Sequence, residues 1–239
     1  MKKDKIILVA IIIGISIYCV SCVTFSSIKG DGNLTTLKET VSTFEKINSF
    51  GSAEVRFHTG EEYQVVVTID ENLEEYVEIF AKNNVLNIGT KSGSSISPTK
   101  FTVDVYCPTL IGVSVSGSGS FKNTDKIITS TFESSVSGSG RIEGIVECDN
   151  YSARISGSGK IMVYGASNDI NISVSGSGNF NGSELNTKSA TVSISGSGSA
   201  NVCVSDNLKA RISGSGNINY SGEPVVNSSV SGSGRINKM

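Results

Sequence analysis

Val113-Ser-Val-Ser-Gly-Ser-Gly-Ser-Phe121 is the first full statement of a phrase that the chain repeats to its end. Its core, Ser-Gly-Ser-Gly, starts at Ser116, Ser137, Ser156, Ser175, Ser195, Ser213 and Ser231, with gaps of 21, 19, 19, 20, 18 and 18 residues. A near-constant period of this length is the signature of a solenoid, in which each repeat stacks only on its neighbours. Around each copy the chain alternates: Ala153, Ile155, Gly157, Gly159 and Ile161 share one phase, Arg154, Ser156, Ser158 and Lys160 the other. Successive side chains of a strand point to opposite faces, so this is a strand with an apolar inner row and a serine-rich outer row.

The glycines fall in phase with the apolar row. Glycine within a strand marks a bend or a close approach of backbone. Each Gly-Ser-Gly is therefore expected at a corner, with glycines stacked from coil to coil and serines in ladders outside. The architecture is an all-β, single-stranded parallel β-helix with about 18–21 residues per coil, each coil adding about 4.8 Å. Right-handed winding is expected, as for parallel β crossovers generally. The left-handed hexapeptide helix ranks second, because no clean six-residue repeat is present. Turns such as Asp149-Asn150, Ser167-Asn168-Asp169 and Ser205-Asp206-Asn207 punctuate each coil, which should hold two or three short strands.

The chain has 239 residues, 26 glycines, no tryptophan and a formal charge of −2, which leaves no nucleic-acid footprint. Lys2, Lys3 and Lys5 precede an apolar run from Ile6 to Val20, too short to span a bilayer comfortably and flanked like a secretory signal. An uncleaved membrane anchor is the alternative. The run ends in Cys19-Val-Ser-Cys22, which resembles a bacterial lipoprotein signal, with Cys22 as the lipidated residue; Cys19 stands where leucine is usual. The expected organisation is a signal peptide over 1–21, a lipid anchor and flexible tether over 22–40, and a folded domain over 41–239. That domain divides into an N-terminal β part, 41–110, and the seven coils of 111–239. Cys107, Cys148 and Cys203 are isolated, without histidine nearby, so no metal site is expected. Whether any of them pair is left open.

Between the tether and the repeats, Ala53-Glu-Val-Arg-Phe57 and Tyr63-Gln-Val-Val-Val-Thr-Ile69 read as a hairpin about Thr59-Gly-Glu61. Asp70 is placed to cap a short helical turn, and Asn83-Asn84 to join two strands. Phe101 to Cys107 is a clean strand. The region 41–110 should cap the first coil. The last coil ends without an evident cap, which points to a partner, to a self-association surface, or to the charged stretch Arg235–Lys238 acting as a shield.

The repeated Ser-Gly-Ser-Gly-x-Ile-x, with Gly216-Asn-Ile-Asn219 and Gly234-Arg-Ile-Asn237, resembles the auto-transporter adhesin head GIN domain family. Phe44-Glu-Lys-Ile47, Asp70-Glu-Asn-Leu73 and the strand ending at Cys107-Pro108 extend the resemblance over about residues 41–239. It implies an exported, β-helical bacterial envelope protein acting as an adhesin. It carries no catalytic residues over.

No catalytic or cofactor site stands out. His58, the only histidine, reads as a solvated turn residue, since no nucleophile motif accompanies it. Asp149, Asp169 and Asp206 recur near one period and would form a carboxylate site if stacked; Asx-turn chemistry explains them as well. The regular surface is the serine ladder: Ser116, Ser118, Ser137, Ser139, Ser156, Ser158, Ser175, Ser177, Ser195, Ser197, Ser213, Ser215, Ser231 and Ser233. It would present a flat hydroxyl array to a glycan or to a host or envelope protein, unless the serines only satisfy local backbone. The expected function is a lipid-anchored adhesin or binding module, not an enzyme. A carbohydrate-cleaving β-helix and a ligand-free envelope scaffold are the alternatives.

Overall fold

The computed structural model describes residues 27–239, and Cys22 and the signal-like run lie outside the described residues. Its N-terminal region holds β1 (Ile28–Lys29), β2 (Leu34–Thr40), β3 (Lys46–Gly51), β4 (Glu54–Thr59), β5 (Gln64–Asp70), a 3₁₀ turn (Glu71–Tyr76), β6 (Val77–Lys82), β7 (Val85–Thr90), β8 (Ile96–Ser97) and β9 (Phe101–Cys107). The repeats hold β10 (Gly112–Gly117), β11 (Ser120–Asn123), β12 (Ile127–Gly138), β13 (Arg141–Gly157), β14 (Lys160–Gly176), β15 (Asn179–Gly196), β16 (Ser199–Gly214), β17 (Asn217–Ser221), β18 (Val225–Gly232) and β19 (Arg235–Lys238).

From β10 onward the pairing is parallel and the register nearly constant, giving a β-solenoid of about seven turns. Gly138, Gly157, Gly176, Gly196, Gly214 and Gly232 lie one above another on Gly117. The inner columns are apolar: Val115, Val136, Ile155, Val174, Ile194 and Ile212 stack along one side, and Phe121, Ile142, Ile161, Phe180, Ala200 and Ile218 along the other. All twelve are buried. Phe132 stacks on Tyr151 at a centroid distance of 6.3 Å, and Tyr151 meets Phe180 at 6.2 Å. The Tyr151 hydroxyl and the neighbouring Ser134 hydroxyl are buried with no hydrogen-bond partner among the described residues, and burial raises the phenol's pKa.

The two glycines of each phrase have different reasons. Gly157 has φ +110, and a Cβ there would stand 2.7 Å from the Gly138 carbonyl oxygen. Gly159 has room for neither chain nor side chain: its Cβ would meet Val136 Cγ1 at 2.3 Å. The first glycine thus makes the turn at the surface, and the second lies buried against the coil below. The expected placement of both glycines on the inner row is corrected accordingly. In β13 to β16 the strand breaks only between Gly157 and Lys160 and its equivalents, and the Asn/Asp corner is crossed inside one continuous strand of 16 to 18 residues.

Where a flexible tether is expected, the structure has a strand. β2 pairs antiparallel with β5 over its whole length, Leu34 opposite Asp70 and Thr40 opposite Gln64, and Leu37 packs on the core. β1 pairs with β8. Asp70 does not cap the 3₁₀ turn. Its buried carboxylate instead accepts hydrogen bonds from Gly32 N (2.9 Å), Thr99 N (2.8 Å) and Thr99 Oγ1 (2.6 Å), which hold its pKa below the ordinary value. The expected hairpin between β4 and β5 is not formed either, because β9 lies between them, parallel to β4 and antiparallel to β5. The Asn83-Asn84 hairpin is present, with φ of +53° and +61° at its two asparagines.

The N-terminal region is more than a cap. β3 and β4 are a coil in register with the repeats: Gly51 lies under Gly117, and Val55 under Phe121. Beneath them run β7 and β9, then the antiparallel β6, β5 and β2. The 3₁₀ turn, with Leu73 fully buried, and Phe44 complete this end of the core. At the other end β18 pairs only with β16, and β19 only with β17, among the described residues.

Candidate binding surfaces

The Ser-Gly corner sets the serines on its outside. Ser116, Ser137, Ser156, Ser175, Ser195, Ser213 and Ser231 are paired in register, one per coil. Ser118, Ser139, Ser158, Ser177, Ser197, Ser215 and Ser233 follow at the turn, where Ser158 N donates to Gly138 O and Ser177 N to Gly157 O, each at 2.9 Å. Thirteen of the fourteen are exposed and Ser116 is half-buried. Six steps of about 4.8 Å make the strip roughly 29 Å long. None of the fourteen hydroxyls has a protein hydrogen-bond partner among the described residues: the polar contacts of the serines belong to Ser167, Ser183, Ser199 and Ser205. The turns themselves are held by backbone groups.

The opposite corner carries a furrow of about 690 Å³ that runs along the axis, lined by residues from Ile128 and Glu147 to Lys188 and Ser205. Its floor is the row Thr129, Cys148, Ser167, Thr187 and Val204, whose side chains point into the corner. Ser167 and Thr187 are buried and bind corner carbonyls, Thr187 Oγ1 donating to Cys203 O at 2.6 Å. The three aspartates do not converge. Asp149 accepts from Asn168 Nδ2 at 2.8 Å, Asp169 stands in the adjacent row beside Asn150 and Ser189, and Asp206 accepts from Ser205 Oγ. No group of three or more His, Cys, Asp or Glu side chains with metal-binding geometry occurs among the described residues.

His58 is not a turn residue. It lies on β4 beside β9, half-buried, with Nε2 2.9 Å from Asp104 Oδ1 and its ring stacked on Tyr106 at 4.9 Å. The pairing of β4 with β9 creates this contact, and nothing local in the sequence announces it. No hydroxyl or thiol is hydrogen-bonded to the imidazole among the described residues. Cys107, Cys148 and Cys203 form no disulfide among the described residues. Burial pushes Cys107 up to about 12 and raises Cys148 as well, so neither is a ready nucleophile. No helix of the described residues is long and apolar enough to cross a membrane.

Solved structures share this architecture. A putative lipid binding protein from Parabacteroides distasonis ATCC 8503 is 28% identical, with a TM-score of 0.76 over 90% of this chain and 100% of that one. A putative adhesin from Parabacteroides merdae ATCC 43184 is 27% identical, with a TM-score of 0.71 over 89% and 99%. A putative adhesin from Bacteroides fragilis NCTC 9343, at 20% identity and a TM-score of 0.83 over 89% and 100%, shares the fold. No curated protein matches the chain. The solenoid, its phrase and these likenesses agree with a match over residues 43–224, and the chain belongs to the family "Putative auto-transporter adhesin, head GIN domain".

Proposed function

We propose that the protein is an exported envelope adhesin that binds its partner through the serine strip and is held to a membrane by lipid on Cys22. The adhesin family and the adhesin and lipid-binding structural neighbours support a binding role. The observation that carries the site is the strip itself: fourteen hydroxyls, without hydrogen-bond partners among the described residues, repeated in register from coil to coil. Such an array suits a repetitive polymer with its own hydroxyls, above all a glycan, because each rung can donate and accept. In this reading residues 1–21 are the signal peptide and Cys22 becomes the N-terminus of the mature chain, with a charge of −4 once three lysines and one aspartate are removed.

Cleavage of a polysaccharide is a weaker reading, since the corner carboxylates fall in two separate rows. The deciding experiment incubates the full chain with a panel of polysaccharides and matrix proteins, scoring retention and new reducing ends. Retention that falls when Ser156, Ser158, Ser175 and Ser177 are replaced by alanine supports the strip. New chain ends overturn the adhesin reading. Replacement of Cys22 by alanine tests the anchor separately: the chain should leave the membrane fraction.

A further inference from the structure

The two ends of the solenoid are finished differently. At the N-terminal end the edge strands β2 and β6 carry Lys38, Glu39, Glu78 and Lys82, and Leu73 closes the core behind them. At the other end β18, Val225-Val-Asn-Ser-Ser-Val-Ser-Gly232, is an eight-residue edge exposed at every position, with no charge, proline or bulge. Natural sheets use those devices to block edge-to-edge pairing. Val226, Ser228 and Val230 continue the inward columns of Leu208, Ala210 and Ile212, yet Val226 is 37% and Val230 44% exposed. Half a core lies open.

We propose that this end pairs with the same end of a second copy, β18 against β18, antiparallel, about a two-fold axis at Ser228. That register sets Val226 opposite Val230 of the second copy and Ser228 opposite itself, so inward columns meet inward columns and Asn227 faces Ser229 on the outside. A shift by one residue would put apolar positions opposite outer ones, which the period of two forbids. The strand is uncharged, so two copies approach without like-charge repulsion, and Lys238 of β19 is already paired with Glu223 at 2.5 Å. The terminal coil has 22 residues, Asn217 to Lys238, at the lower end of the about 20–30 a side that stable interfaces use. A single pair is therefore weak, and many copies on facing surfaces act together.

The outward direction of this end rests on the anchor reading at Cys22; the pairing itself does not. Five residues lie between Cys22 and the first strand at Ile28, so the two are at most about 22 Å of chain apart. The N-terminal end then lies next to the membrane and the open coil points away, toward another cell.

The test replaces Ser228 by cysteine in the full chain, kept in detergent and mildly oxidised. Directly opposed antiparallel residues have Cα atoms about 4.5–5.5 Å apart, within disulfide reach. A linked dimer is expected with Ser228→Cys and not with Ser175→Cys in the middle of the strip. Adding Val225→Lys, a change at a position 75% exposed and outside the core, should abolish the link while leaving the unfolding midpoint in place. Equal linking at residues 228 and 175, or a link that survives the lysine, overturns the proposal. Because the readout needs no lipid, failure here is distinct from failure of the anchor at Cys22.

Discussion

The Ser-Gly corner and the Asn/Asp corner turn the same chain, yet only the first is spelled alike in every coil from β10 onward. At the Ser-Gly corner the backbone makes the turn, with a positive φ and a carbonyl of the coil below in close contact, so each coil from β10 onward carries glycine at the same places. At the other corner each coil finds its own solution. Ser167 Oγ lies near Asp149 O and Asp169 O, Thr187 Oγ1 donates to Cys203 O, and at the bend just before the corner Asn123 Nδ2 donates to Asp125 O and Ile145 O. The register slips at this corner between Thr187 and Ser189, and just before it between Gly182 and Asn186. The variable repeat length of 18 to 21 residues is absorbed mostly in the segment leading into this corner, where the register offset changes between Lys122 and Ile127, Met162 and Tyr164, and Gly182 and Asn186. Constancy marks where the backbone is constrained, and it leaves the serine hydroxyls outside free for other work.

The difference is measurable. Gly157→Ala combines left-handed strain with a Cβ 2.7 Å from backbone, and should destabilise by about 3 kcal/mol, read as a lower urea midpoint. An unchanged midpoint would mean that the corner is looser than its spelling. Ser167→Ala removes one buried hydroxyl that serves two carbonyls, and should cost about 1–2 kcal/mol in the same assay. Tyr151→Phe lies between the corners in the core; removing a buried hydroxyl with no partner should raise stability by up to about 1 kcal/mol. A loss instead would show that Ser134 already satisfies it. Ser156→Ala together with Ser158→Ala, on exposed positions, should move stability by less than about 0.5 kcal/mol while lowering glycan retention. Loss of fold there would return the serines to a structural role.

The sequence shows the corner that repeats. The period and the alternation around Ser156 to Ile161 lead directly to stacked coils and an outer serine row. They do not reveal that β3 and β4 belong to the same stack, because Phe50 stands where a serine would be and Ala53 where the second glycine would be. Phe50 instead lies against Gly89, where no side chain would fit, a contact made across 39 residues. Nor does local pattern show β9 separating β4 from β5, or Leu34 to Thr40 joining the sheet, since those pairings depend on distant strands. The serine strip was legible as a row of side chains. That its hydroxyls are unused by the protein is visible only once the turns' own hydrogen bonds are placed.

A stack in which each coil touches only the ones above and below unravels from its ends. The N-terminal end is held by antiparallel strands and the Asp70 carboxylate, so the fraying falls to β18 and β19. Amide hydrogen exchange should therefore be fastest in residues 225–238 and slow progressively toward β13. Whatever covers that last coil would protect the whole molecule by closing the point from which it opens.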